Sequence, residues 1–150
     1  MKFLNFDIPS SIELHGMGLN WELHNFAHFL GLRLMPDTTV VLTWVMPATT
    51  VVPGGGTPWG DFNNHYGGCQ LVFRGVRRIS ITGADPEMPP SESRTLARII
   101  RGARLRKKDL NVSEPSKSES TLLLEFQSGL SIEVDASEAE LVPIERGTGD

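Results

Sequence analysis

Cysteine is almost absent from this sequence. Its 150 residues contain one, Cys69, so no internal disulfide can form and a disulfide-stapled secreted scaffold is excluded. A thiol becomes a nucleophile only beside a base or in a positive environment, and nothing in the sequence fixes either one next to it. We therefore expect Cys69 to be a buried structural residue.

Long apolar runs are absent as well. The longest, near Val40–Met46, is far shorter than the roughly 18 residues of a membrane-spanning helix. Met1–Ile8 is interrupted by Asn5 and Asp7 before the apolar core of a signal peptide can develop. We therefore expect a soluble, cytoplasmic protein that makes no contact with a membrane.

Catalytic motifs are missing too. No Gly-x-Ser-x-Gly turn is present, and Asn25 stands where a His-Glu-x-x-His zinc motif needs glutamate between His24 and His28. The glycine-rich loop at residues 49–68 contains no lysine or arginine and does not lead into a Gly-Lys-Ser/Thr helix, so it is not a phosphate-binding loop. These absences favour a protein that is not an enzyme and has no cofactor.

The alternative is a small-molecule- or metal-binding protein, or an enzyme, that uses the histidines and the aromatic glycine-rich loop. Two histidines four residues apart share one face if their segment is helical, a spacing that suits zinc. The aromatic residues of the glycine-rich loop are typical of a pocket wall. The candidate ligands for this second hypothesis are His24, His28, His65 and Asp61.

The residues that are present indicate one globular domain over residues 1–150, with a polar tail at residues 145–150. Hydrophobic residues make up 39% and charged residues 21% of the chain. Alternating apolar residues predict two hairpins and a final strand, and Gly75 marks a bend within a longer strand-like segment. The predicted strands are Leu30–Leu34, Val40–Met46, Cys69–Thr82, Leu122–Phe126, Leu130–Val134 and Ala139–Ile144.

The stretch at residues 91–106 has a different spacing. Its apolar residues recur at intervals of three, four and seven, as on one face of a helix: Leu96, Ile99, Ile100 and Ala103. The predicted fold class is α+β, a mostly antiparallel sheet of six or seven strands with one main helix (about 91–106) packed on it.

Charge is distributed unevenly along the chain. Residues 94–108 contain seven basic side chains and no acidic one, whereas the whole chain has 14 basic and 18 acidic side chains and a net charge of −4. A basic helix face on an acidic body attracts an anionic partner surface. The alternative is a solvated face whose arginines pair with Glu138, Glu140 or Glu145. Nucleic acid is disfavoured because the body repels phosphate and no aromatic residue interrupts the basic run.

Three segments together resemble a known group of proteins. TTVVLTWVMP, CQLVFRGVRRISIT and TLLLEFQSGLSIEV, in this order between Leu23 and Ile144, are similar to small uncharacterised bacterial α+β domains, some of which are grouped with immunity proteins of toxin systems. The resemblance implies a protein that binds and neutralises a partner toxin, and it carries over no functional residue.

The sequence therefore predicts a non-enzymatic bacterial binding domain whose partner is another protein. Arginine and aromatic side chains are the types most often found at the centre of protein interfaces. The predicted partner-binding residues are Arg94, Arg98, Arg101, Trp59 and Tyr66. The sequence says nothing about the oligomeric state.

Overall fold

The computed structural model describes residues 1–21, 23–24, 27–45, 66–83, 95–101 and 121–145. The described part of the protein is all-β, with strands and no helix, so the predicted α+β class with one main helix is wrong. The strands of the described residues are β1 Lys2–Phe3, β2 Phe6–Ser10, β3 Glu13–Gly16, β4 Leu19–Asn20, β5 His28–Leu34, β6 Val40–Val45, β7 Tyr66–Arg74, β8 Arg78–Thr82, β9 Leu96–Arg101, β10 Thr121–Phe126, β11 Ser131–Asp135 and β12 Glu138–Glu145.

The strands form three sheets. The first has the order β1-β12-β7-β6-β5, the second β8-β11-β10-β9, and the third is the small meander β2-β3-β4. All neighbours are antiparallel except β1, which runs parallel to β12. Both predicted hairpins are confirmed, because β5 pairs with β6 and β10 pairs with β11.

One pair of strands crosses from the first sheet to the second. The β7–β12 pair continues as the β8–β11 pair. The segment that connects β7 to β8 turns at Gly75, and the segment that connects β11 to β12 turns at the same level, at Ser137. Gly75 has a φ of 64°, a left-handed conformation that glycine adopts without steric cost. The Ser137 amide donates to the carbonyl oxygens of Arg74 (3.1 Å) and Gly75 (3.2 Å), which ties the two turns together.

The inner faces of the two larger sheets share one apolar core. Period-two alternation turns Leu42 and Trp44 of β6 inward, and both belong to the same buried cluster as Leu124 of β10. The Phe29 ring lies 4.8 Å from the ring of Phe126, between centroids, and so joins the two sheets directly.

The predicted helix is replaced by a strand for a specific reason. Across β9 and β10, Phe126 is opposite Leu96 but Glu125 is opposite Arg98, so Ala97 is an extra residue in β9. This bulge moves the next buried side chain to Ile99, three residues after Leu96 rather than two or four. A bulged strand therefore imitates the spacing of a helix. The rest of the predicted helix, residues 91–94 and 102–106, lies outside the described residues.

The N-terminal part of the chain contains four strands that the sequence did not predict. Its first residues pair with β12, and the small third sheet packs beside β9, where the Ile99 amide donates to the Ser11 carbonyl at 2.7 Å. Among the described residues there is no helix of the length and hydropathy needed to cross a membrane.

Candidate functional site

The candidate functional site is the outer edge of β5, which we call the β5 edge and define as the side of His28–Leu34 that faces away from β6. Strand β5 is the last strand of the first sheet. Within the described part of the chain its only strand partner is β6, and no backbone hydrogen bond reaches the β5 edge. An open strand edge presents unpaired N–H and C=O groups that can accept another strand.

Two leucines make the β5 edge apolar. Leu30 is 59% exposed and Leu34 is 62% exposed, the highest values among the large apolar side chains of the described residues. Leu30 is the extra residue of a bulge, since Phe29 is opposite Trp44 and Gly31 is opposite Thr43. From Gly31 onward the register is regular, so four consecutive residues remain available for pairing.

A shallow depression of about 280 Å³ lies beside this edge, and we call it the Gly31 depression. It forms where Gly31 contributes no side chain to the outer face of the sheet. Its floor includes Thr43, which accepts a hydrogen bond from the Gln70 side chain at 3.4 Å. The residues that line it are Leu30, Gly31, Leu32, Arg33, Thr43 and Gln70.

Arg33 gives the β5 edge a positive charge. Arg33 lies on the outer face of the sheet, opposite Val41. No carboxylate of the described residues lies within 4 Å of its guanidinium. By contrast, Arg74 and Arg77 each form an ion pair at 2.8–2.9 Å. In the part of the chain that the structure describes, the Arg33 guanidinium therefore remains available to an acidic group of a partner.

Other strand edges are less suited to binding. The edge of β9 is occupied at Ile99 by the Ser11 carbonyl. Strand β8 also ends a sheet, and in the described residues it pairs only with β11, but it exposes one large apolar side chain, Ile81, rather than two. The β5 edge therefore combines open backbone, apolar side chains and charge.

Two arginines of the predicted basic face, Arg98 and Arg101, contact other residues of the same chain. Arg98 donates from Nε (3.0 Å) and Nη2 (2.8 Å) to one carboxylate oxygen of Glu125 on the neighbouring strand. The Arg101 guanidinium lies 4.3 Å from the centroid of the Phe3 ring and 3.9 Å from the Asp7 carboxylate. These partners are not the glutamates Glu138, Glu140 and Glu145 considered above. Both arginines therefore make contacts that stabilise the fold.

The ion pair between Arg98 and Glu125 leads to a prediction about stability. Replacing Arg98 with glutamate places two carboxylates opposite each other at a half-buried position, so R98E is expected to lower the free energy of unfolding by about 1–2 kcal/mol. Arg98 is 42% exposed, and solvent screening keeps the loss at that size. Urea denaturation measures it. The matched control R33E should change the stability by less than about 0.5 kcal/mol, and equal effects of the two changes would contradict the structural role of Arg98.

Of the remaining predicted partner-binding residues, the structure describes only Tyr66. The Tyr66 ring packs 5.4 Å from the ring of buried Trp21, so Tyr66 belongs to the edge of the core. Arg94 and Trp59 lie outside the described residues.

The structure does not assemble the predicted metal ligands in the part that it describes. His28 is the first residue of β5 and His24 lies in a turn, so the helical spacing that was to place them on one face does not apply. His65 and Asp61 lie outside the described residues. Among the described residues no three histidine, cysteine, aspartate or glutamate side chains come together as metal ligands.

Cys69 is buried, as the sequence predicts. It faces the core from β7, opposite Trp44, and is fully inaccessible. Burial raises the pKa of the Cys69 thiol far above its ordinary value, because the thiolate would lose its hydration. The thiol is therefore unreactive in the folded protein.

The sequence reasoning missed the β5 edge, although it found the strand. It used the alternation of Leu30, Leu32 and Leu34 only to predict a strand, whereas in the structure Leu32 packs on the core and the other two are exposed. The signal available was Gly31 within an apolar strand, which indicates a bulge or a close approach of another backbone.

Comparisons with known proteins do not add a family to this description. No protein-family model, no curated protein and no solved structure matches the chain. The function is therefore inferred from the β5 edge itself.

Proposed function

We propose that this chain is a non-enzymatic binding domain that engages another protein by adding an extended segment of that protein to the β5 edge. The observation that carries the proposal is the open edge with its two exposed leucines, Leu30 and Leu34. In strand addition the main-chain hydrogen bonds supply affinity, and contacts to alternate side chains supply specificity.

The surroundings of the edge favour a particular kind of segment. Apolar side chains of the partner contact Leu30 and Leu34, and a large side chain fills the Gly31 depression, as aromatic residues do beside edge glycines. An acidic side chain pairs with Arg33. The expected ligand is an extended peptide that combines alternating apolar residues with at least one carboxylate.

The proposal keeps the prediction of a protein partner and changes the surface. Arg98 and Arg101 are held by Glu125 and Phe3, which does not favour a basic surface on β9 as the contact. An immunity-like role, in which the partner is a toxin, stays a prediction. A cytoplasmic location is part of the proposal, supported by a single cysteine that is buried as a thiol.

Peptide selection tests the proposal. Random dodecapeptides displayed on phage are selected on the folded protein, and the affinity of enriched peptides is measured by fluorescence anisotropy. We expect enriched peptides with alternating apolar residues and a carboxylate. The double variant L30K/L34K should weaken their binding at least about tenfold, because charges on an edge oppose strand addition.

The matched control is I12K/M17K, which adds the same charge at two exposed apolar residues of the small third sheet. It should bind the selected peptides as the unchanged protein does. Failure to enrich any peptide, or equal weakening by both double variants, would overturn the β5 edge as the binding surface.

A further inference from the structure

We infer that the β5 edge selects a partner segment with a defined order of four residues: an apolar residue, an acidic residue, a second apolar residue and an aromatic residue, running antiparallel to β5. The inference rests on the proposed function and deepens it, because it states which position of the segment each part of the edge selects. Arg33 and Gly31 are then the residues that determine specificity.

The backbone of β5 fixes the register of an added strand. The Met35 amide donates to the Thr39 carbonyl at 2.8 Å, so these two residues form a hydrogen-bonded pair. Hydrogen-bonded and non-hydrogen-bonded pairs alternate along an antiparallel ladder. The register is regular from there back to the bulge, so Leu34 and Leu32 belong to non-hydrogen-bonded pairs and turn their N–H and C=O groups away from β6. A strand added at the β5 edge therefore bonds to the backbone of Leu32 and Leu34.

Arg33 and Gly31 take the other kind of position in the added pair. Their backbone groups bond to β6, so with an incoming antiparallel strand they form non-hydrogen-bonded pairs, in which opposite side chains lie closest. Both residues lie on the outer face of the sheet, opposite Val41 and Thr43. An acidic residue opposite Arg33 pairs with its exposed guanidinium. An aromatic residue opposite Gly31 covers the Gly31 depression.

The inner face of β5 sets the two apolar positions of the segment. Leu32 lies opposite Leu42 and Leu34 lies opposite Val40, and both of these β6 residues are buried in the core. Partner residues opposite Leu32 and Leu34 therefore point to the same side of the sheet as the core. Apolar side chains are favoured there because they remove the exposed surface of Leu34 from water.

The order of residues along the segment depends on its direction. The inferred direction is antiparallel, which is the more stable pairing per residue and the one that β5 already makes with β6. An antiparallel segment passes Arg33 before Gly31, so its acidic residue precedes its aromatic residue. A parallel segment would require the aromatic residue first.

Two fluorescein-labelled octapeptides of identical composition test the order. Their central residues are Val-Glu-Val-Phe in one and Val-Phe-Val-Glu in the other, with two threonines on each side. Fluorescence anisotropy with the full chain, at up to about 500 µM protein, measures both dissociation constants. Val-Glu-Val-Phe should bind at least about fivefold more tightly, because in an antiparallel register only it places glutamate opposite Arg33 and phenylalanine opposite Gly31 together.

Charge reversal tests the role of Arg33. R33E should weaken the binding of Val-Glu-Val-Phe about fivefold or more, and it should tighten the binding of a Val-Lys-Val-Phe peptide by a similar factor. The reason is that opposite charges across a strand pair attract and like charges repel. The matched control R78E makes the same change of charge at an exposed arginine of β8. It should change neither dissociation constant by more than about twofold, since salt screens distant charges.

The outcomes separate this inference from the proposed function. Equal binding of the two glutamate peptides, tighter binding of Val-Phe-Val-Glu, or no binding of either at the highest concentration overturns the inferred order. An effect of R33E that R78E matches overturns Arg33 as a residue that determines specificity. In each of these cases, phage-selected peptides whose binding L30K/L34K weakens leave strand addition at the β5 edge standing.

Discussion

Replacing Gly68 with alanine is expected to lower the free energy of unfolding by at least about 3 kcal/mol. Gly68 in β7 lies opposite Val45 in β6, and its φ of 154° brings its α-carbon close to the neighbouring backbone. An added Cβ would overlap the Trp44 carbonyl oxygen and lie 2.8 Å from the Val45 Cα. These are backbone atoms in the middle of a sheet, so they cannot move aside without breaking the β6–β7 ladder.

Urea denaturation with a two-state fit measures this loss, and a matched glycine provides the control. No atom of the described residues lies within 4 Å of a Cβ added at Gly83, so G83A should change stability by less than about 0.5 kcal/mol. If G68A unfolds at the same urea concentration as G83A, the close approach of β6 and β7 at Trp44 is wrong.

Replacing Asn5 with alanine is expected to cost about 2–4 kcal/mol of stability, because it leaves two backbone groups without partners. The Asn5 side chain donates from Nδ2 to the Leu141 carbonyl at 2.8 Å and accepts from the Leu141 amide at Oδ1, also at 2.8 Å. Leu141 is 1% exposed, so water cannot replace either hydrogen bond. The Asn5 amide thus continues the β1–β12 pairing by one more residue.

The variant N5D distinguishes these hydrogen bonds from a simple packing effect. At neutral pH its carboxylate can accept from the Leu141 amide but repels the Leu141 carbonyl, so N5D should be about as unstable as N5A. Contact with the carbonyl favours the protonated acid and raises its pKa. Relative to the unchanged protein, N5D should therefore regain stability as the pH falls through that raised pKa. A deficit that does not depend on pH would assign the loss to packing.

The sequence predicted the hairpin strands whose apolar residues alternate, and it mistook the bulged strand β9 for part of a helix. Alternation over Leu122–Phe126 and Leu130–Val134 identified a hairpin because each strand there keeps the period of two. In β9 the extra residue Ala97 shifts that period once, and a shift by one residue moves a buried side chain from spacing two to spacing three. No property of Leu96 or Ile99 alone distinguishes this from a helix.

The candidate site could not be predicted from local sequence patterns either. Arg98 and Arg101 were correctly recognised as a concentration of charge, but which carboxylate or ring lies beside them depends on pairings between distant parts of the chain. The β5 edge depends on sheet order, since Leu30 and Leu34 lie on a strand that no other described strand follows in its sheet. Sheet order is set by the whole chain, and local periodicity carries no information about it.

The pairing of β1 with β12 fixes when this fold can be completed during synthesis. Lys2 is opposite Glu138, and Asn5 bonds to a residue 136 positions later in the chain. At about 5–20 residues per second, a ribosome makes the partner of Asn5 roughly 7 to 27 seconds after Asn5 itself. Throughout that interval β1 lacks the strand with which it pairs in the folded protein. The first sheet therefore reaches the width described above only after β12 has been synthesised.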